Sequence, residues 1–161
     1  MLNIGHMFRR GEGLPQKWAS AIQWYKKAAA KGNVAAMHWL ARVHGGQEKH
    51  PVDSREALKW LHKAAARGDA QSQCNLGVHY INGEGVRKNA RKGAALYRQA
   101  AEGGDEWAFY LLGLCYSDGL GVRKNIRVAR AWFHKAAARK VAEAKETMRA
   151  MSGGAIAGTR S

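Results

Sequence analysis

Apolar positions along this chain fall into two helical patterns that alternate and recur every 36 residues. The first pattern is "LGxxY", which places Leu76, Gly77 and Tyr80 on one face of a 3.6-residue period. The second carries Trp60 or Trp132 and a pair of alanines on its buried side. "LGVHYINGEGVRKN" at 76–89 returns as "LGLCYSDGLGVRKN" at 112–125, with nine of fourteen positions identical. Polar and glycine-rich stretches separate the patterns, so each 36-residue repeat reads as a pair of helices.

The register holds over the chain without an insertion. Ala28, Ala64, Ala100 and Ala136 share one column, and Trp24, Trp60, Leu96 and Trp132 share another. A third runs Gly5, Ala41, Gly77, Gly113, each preceded by Ile4, Leu40, Leu76 or Leu112. Three residues on stand Phe8, His44, Tyr80 and Tyr116. A small residue in the third column lets the paired helix come close, which accounts for a glycine that costs about 1 kcal/mol inside a helix. "GEGV" and "GLGV" then break the first helix. Asp53, Asn89 and Asn125 are expected to cap the second, and Asp53 with Glu56 has capping-box spacing. "GN", "GD" and "GD" at 32–33, 68–69 and 104–105 end one repeat and cap the next. One such hairpin cannot bury both its apolar faces, so the hairpins stack and share a core.

These columns resemble the Sel-one-like repeat (SLR), a relative of the tetratricopeptide repeat. The family pattern is a leucine-glycine pair, an aromatic three residues on, Gly-x-Gly-Val, an aspartate, then aromatic-x-Lys-Ala-Ala and glycine. The fold class implied is all-α: a right-handed α-solenoid of four stacked helix-turn-helix repeats plus a C-terminal capping helix. A single domain is expected over 1–152, with repeats at about 1–36, 37–72, 73–108 and 109–144, a cap at about 141–152 and a flexible tail at 153–161. Three departures stand out. "HGGQEKHPVD" at 44–53 replaces the usual turn, Pro15 and Lys17 replace the acidic cap of the first repeat, and "RKV" at 139–141 replaces Gly-Asp. The last boundary is therefore expected to be the least sharply defined.

Composition adds one strong signal. The hydrophobic fraction of 46% is ordinary, but the net charge is +15. Such a surface favours acidic partners: a protein, nucleic acid or an anionic membrane. No apolar run approaches the roughly 20 residues of a membrane span. "MLNIGHMFRRGEG" lacks the order of a secretion signal, which leaves the compartment open: cytoplasmic, or periplasmic if the chain is a trimmed mature form. Cys74 and Cys115 occupy different repeat positions and are expected to be reduced and unpaired.

No catalytic constellation emerges. GxSxG, HExxH, Walker-type and Cys-x2-Cys patterns are absent, and the GxGV segments are explained as helix–helix turns. No two histidines show zinc-helix spacing, and His62 and His134 share a solvent column with Lys26 and Arg98. No enzyme, metal or cofactor is expected.

The resemblance implies that first helices line a concave surface. Residues flanking the leucine column would form it: His38, Trp39 and Arg42, then Asn75 and Val78 beside Cys74, then Tyr110, Leu111 and Leu114. That face passes from basic-aromatic to apolar. The segment 141–152 could instead cover Tyr110, Leu111 and Leu114. Trp18, Trp39 and Trp107 lie off the core column, where exposed aromatics mark interfaces. Arg55, Arg91 and Arg127 share a column, and Arg87-Lys88 repeats as Arg123-Lys124, which predicts a basic ridge. The functional expectation is a monomeric protein-interaction module with an acidic protein partner. The resemblance extends this to an adaptor or an immunity protein against a secreted toxin. Nucleic-acid binding by the ridge is the alternative.

Overall fold

The computed structural model describes residues 1–46 and 53–153. Among the described residues there are nine helices and no strand: α1 (Leu2–Arg10), α2 (Trp18–Ala30), α3 (Val34–His44), α4 (Ser54–Ala66), α5 (Ala70–Asn82), α6 (Ala90–Glu102), α7 (Glu106–Asp118), α8 (Ile126–Ala138) and α9 (Ala142–Gly153). They make four helical hairpins and a C-terminal helix. Most of the unusual turn at 44–53, and all of the expected tail except Gly153, which ends α9, lie outside the described residues.

The chain divides into two compact units, Met1–Leu76 and the part from Gly77 on, with the boundary inside α5. In the first unit α1 packs on α2, α2 on α3, and α3 on α4. In the second α6 packs on α7, α7 on α8, and α8 on α9. The small-residue column sets the closeness of these hairpins. A Cβ on Gly5 would lie 2.5 Å from the ring of Tyr25, one on Gly77 2.5 Å from Tyr97, and one on Gly113 2.5 Å from Phe133. In the second repeat the same register pairs Ala41 with Leu61, both buried.

The tryptophan column is thus not the innermost one. Tyr25, Leu61, Tyr97 and Phe133, one position later, form the buried column, while Trp24 and Trp132 are half-buried and only Trp60 is buried. Each of the three indoles lies under a lysine one turn on: Lys27, Lys63 and Lys135 have Nζ 4.6, 4.4 and 4.2 Å from the ring centroids. These amphipathic rings close the rim of the core and hold a cation over their outer faces.

The caps follow the sequence. Asn33, Asp53, Asp69, Asn89, Asp105 and Asn125 each accept a hydrogen bond from the backbone N–H three residues on. The capping box at Asp53 is only half made, because Glu56 takes Lys59 Nζ and Trp60 Nε1 as donors instead. Asp69 does more than cap α5. His38, buried on α3, holds Nδ1 3.3 Å from Asp69 Oδ1 and 3.1 Å from Ser72 Oγ. Nδ1 thus stands against both a carboxylate and a hydroxyl. Burial alone would raise the Asp69 carboxyl, but the His38 and Ser72 hydrogen bonds outweigh it and hold the pKa at about 2.

The last repeat boundary corrects the sequence expectation. Val141 N–H bonds Ala136 O at 3.1 Å, the geometry also made by Asn33, Asp69 and Asp105. Lys140 supplies the turn with φ 67°, the left-handed conformation that Gly32, Gly68 and Gly104 adopt elsewhere. The turn is kept at the cost of strain at a residue with a Cβ. α9 follows as the start of a fifth repeat, with Met148 in the leucine column. Arg149, however, stands where the other first helices carry Gly or Ala. Val141, Ala144 and Ala136 seal α9 onto α8, with Phe109 and Tyr110 against them.

Two stability tests arise here. Lys140→Gly is expected to stabilise the protein by about 0.5–1 kcal/mol by relieving the left-handed strain, whereas Arg139→Gly, at φ −89°, gains nothing. Urea titrations of both variants check it. Because the Asp69 pKa lies below its usual 3.8, its contribution is present above pH 3.8 and is lost as the pH falls through 2. Wild type is expected to lose up to about 2 kcal/mol more than Asp69→Asn between about pH 5 and 2, since asparagine keeps the cap but not the charge.

Candidate aromatic-basic interaction site

In the first compact unit the helix cap at Asn33 sets the phase of α3 and turns Trp39 toward α1. There two guanidinium groups lie close to the indole: Arg9 of α1 is 4.4 Å and Arg42 of α3 4.7 Å from its ring centroid. His6 meets the indole edge-on at 5.1 Å, and Tyr25 stacks behind it at 6.3 Å and 19°. The Tyr25 hydroxyl lies 2.9 Å from His6 Nδ1, which ties the core ring to the cluster. Burial, then Arg9 and Arg10, lower the His6 pKa, so this imidazole favours its neutral form beside the arginines. Trp39 itself is half-buried, with two cations close to its ring. Chemically, a guanidinium can pair with a carboxylate and an indole can take apolar groups.

The other candidate residues are placed unevenly. His38 is 7% exposed and engaged with Asp69 and Ser72, so it braces α3 against α5 and is not part of an open surface. Asn75 on α5 is half-buried. In the second unit Val78, Tyr110, Leu111 and Leu114 are also half-buried. Tyr110 is largely committed internally. Its ring lies 5.7 Å from that of Phe133 and 5.2 Å from that of Trp107, and its hydroxyl is 3.5 Å from Thr147 Oγ1 on α9. The cap therefore covers Tyr110 in part, while Trp107 stays 42% exposed.

The ridge residues Arg55, Arg87, Lys88, Arg91, Arg123, Lys124 and Arg127 are all exposed, Arg55 in the first unit and the rest in the second. Lys92 joins them; its Nζ donates to the Tyr80 hydroxyl at 2.7 Å and sits 4.2 Å over that ring. Arg98 likewise donates to the Tyr116 hydroxyl. Neither Cys74 nor Cys115 forms a disulfide and both are buried, and burial followed by Asp118 raises the Cys115 thiol to about 11. Among the described residues no group of His, Cys, Asp and Glu could hold a metal ion, and no helix is long and apolar enough to cross a membrane.

Arg9 and His6 were missed by sequence reasoning. His6 precedes Arg42 by one 36-residue period, so extending the face into the first repeat would have found it. Arg9 shares a column with Gly45, Ile81 and Ser117, and no repeating chemistry marks it.

The family comparisons agree with this architecture. The Sel1 repeat model matches residues 1–33, 34–69, 70–105 and 108–141. No curated protein matches the chain. Among solved structures, a Sel1 repeat protein from Oxalobacter formigenes superposes with a TM-score of 0.84 at 32% identity, covering 89% of this chain and 57% of that one. The protein c5321, described as a protective antigen of uropathogenic Escherichia coli with an SLR fold, gives 0.80 at 36%, covering 86% and 30%. Helicobacter pylori cysteine rich protein B gives 0.64 at 28%, covering 82% and 95%. The chain thus spans little more than half of the first of these and less than a third of the second. Proteins built from these repeats are generally protein–protein interaction modules. Four matched repeats over most of the sequence place this chain in the Sel1 repeat family.

Proposed function

We propose that this chain is a binding module for an acidic segment of a partner protein, which it engages at Trp39 with Arg9 and Arg42. The observation that carries the reading is the half-buried indole with two guanidiniums 4.4 and 4.7 Å from its ring centroid. An aromatic and arginines together in one partly desolvated cluster are the composition of binding hot spots. The net charge of +15 favours acidic partners over basic ones, and the exposed ridge draws them in from a distance. The module acts by occupancy, as an adaptor or as an immunity protein neutralising a toxin; either role needs binding and no chemistry.

A peptide rich in aspartate and glutamate with interspersed leucines provides the probe, followed by stopped-flow mixing at several salt concentrations. Trp39→Ala is expected to accelerate dissociation and cost about 1–3 kcal/mol of affinity. Arg91→Glu with Arg127→Glu is expected instead to slow association and flatten its salt dependence, with dissociation little changed. Unaltered dissociation in Trp39→Ala and Arg42→Glu would remove the site from consideration.

A further inference from the structure

The edge of the second compact unit mixes dense positive charge with exposed apolar side chains. The turn at 119–125 lies hard against the start of α6: a Cβ on Gly121 would stand 2.1 Å from Ala90 O and 2.7 Å from Arg91 N. That contact sets Arg123, Lys124 and Arg127 on the same edge as Arg87, Lys88, Arg91 and Lys92, all exposed. Glu84 and Asp118 are the carboxylates at the starts of these turns. Glu84 accepts from Asn82 Nδ2 at 2.8 Å, and Asp118 lies near Cys115. Between the cations stand Leu120 and Ile126, 41% and 40% exposed. The same unit has a cleft of about 580 Å³ lined by Tyr80, Val86, Arg87, Lys88, Asn89 and Lys92.

We propose that this edge docks the protein on the surface of a bilayer containing anionic phospholipids. Each cation near such a surface adds attraction, and the attractions sum over the seven. Leu120 and Ile126, flanked by Arg123, Lys124 and Arg127, are placed to enter the boundary between headgroups and acyl chains while the cations stay among the phosphates. The cleft gathers Arg87, Lys88 and Lys92 around a space able to take one phosphate headgroup. Nucleic acid explains the charge but gives Leu120 and Ile126 no role, and one face of Tyr80, the aromatic ring at the cleft, is already taken by Lys92. An acidic protein would meet the cations too, but the two apolar side chains stand out singly and do not line a groove.

Vesicle co-sedimentation with the full chain tests the proposal, using phosphatidylcholine with and without phosphatidylglycerol. Binding is expected only to the phosphatidylglycerol vesicles, and it should fall steeply with salt. Arg91→Glu with Arg127→Glu should weaken it roughly tenfold or more. Leu120→Ser with Ile126→Ser should weaken it severalfold with the salt dependence unchanged. All four positions are exposed, and melting curves confirm that the variants fold. Absence of binding to phosphatidylglycerol vesicles at low salt, or equal binding to phosphatidylcholine alone, would overturn the proposal. So would full binding by the Leu120→Ser/Ile126→Ser variant; if that variant also binds duplex DNA tightly, the edge is a nucleic-acid surface.

Discussion

The contact on which the hairpins depend is an aromatic ring seated where a Cβ would otherwise be. Gly5, Gly77 and Gly113 each leave that space, and Tyr25, Tyr97 and Phe133 each fill it. A ring pressed against bare backbone brings two helix axes close and fixes their rotation, since a turn of either helix would replace glycine with a side chain. Once rotation is fixed, the neighbouring columns have no choice. Alanines 28, 64, 100 and 136 fall inside, and the tryptophans at 24, 60 and 132 fall at the rim under their lysines. In the second repeat the exchange is reciprocal: alanine replaces glycine and leucine replaces the ring, which conserves volume.

Fixing the inner face also fixes what is left outside. In the first compact unit the face beside the leucine column carries Trp39 and Arg42, and α1 brings Arg9 to the same indole. In the second unit the equivalent positions are Val78, Leu111 and Leu114, so the repeat scaffold is constant while the chemistry on it varies. The turns behave in the same way. Their glycines are required by the backbone, and the residues between them are free to carry charge. That freedom is where Arg87, Lys88, Arg123 and Lys124 sit.

Much of this was legible because repetition averages out noise. Helix pairs, caps and the small-residue column each appear several times in the sequence, and the structure places them as read. The innermost ring was not found, because tryptophan is the larger signal in "WY", "WL" and "WF", while the adjacent position, 100° round the helix, is the one facing glycine. His38 lay on a face read as open, but Asp69 and Ser72 at the start of α5 reach it, and the matching positions of the other repeats do not hold the same three residues. Arg9 and Lys92 act through single, non-repeating contacts, so no column pointed to them. Lys140 shows a different limit: the turn geometry persisted without its glycine because the hydrogen bond from Val141 to Ala136 and the packing of α9 hold it.

A double-mutant cycle at Gly113 and Phe133 tests the ring-on-glycine constraint most directly, with unfolding free energies measured for the four proteins. Gly113→Ala alone is expected to destabilise by about 1–3 kcal/mol, because its Cβ meets the ring of Phe133. In a Phe133→Leu background, which reproduces the Ala41–Leu61 pairing of the second repeat, the same alanine should cost little, leaving a coupling of about 1 kcal/mol or more. Additive costs, with Gly113→Ala equally damaging against phenylalanine and leucine, would contradict the claim that this contact sets how the helices pack.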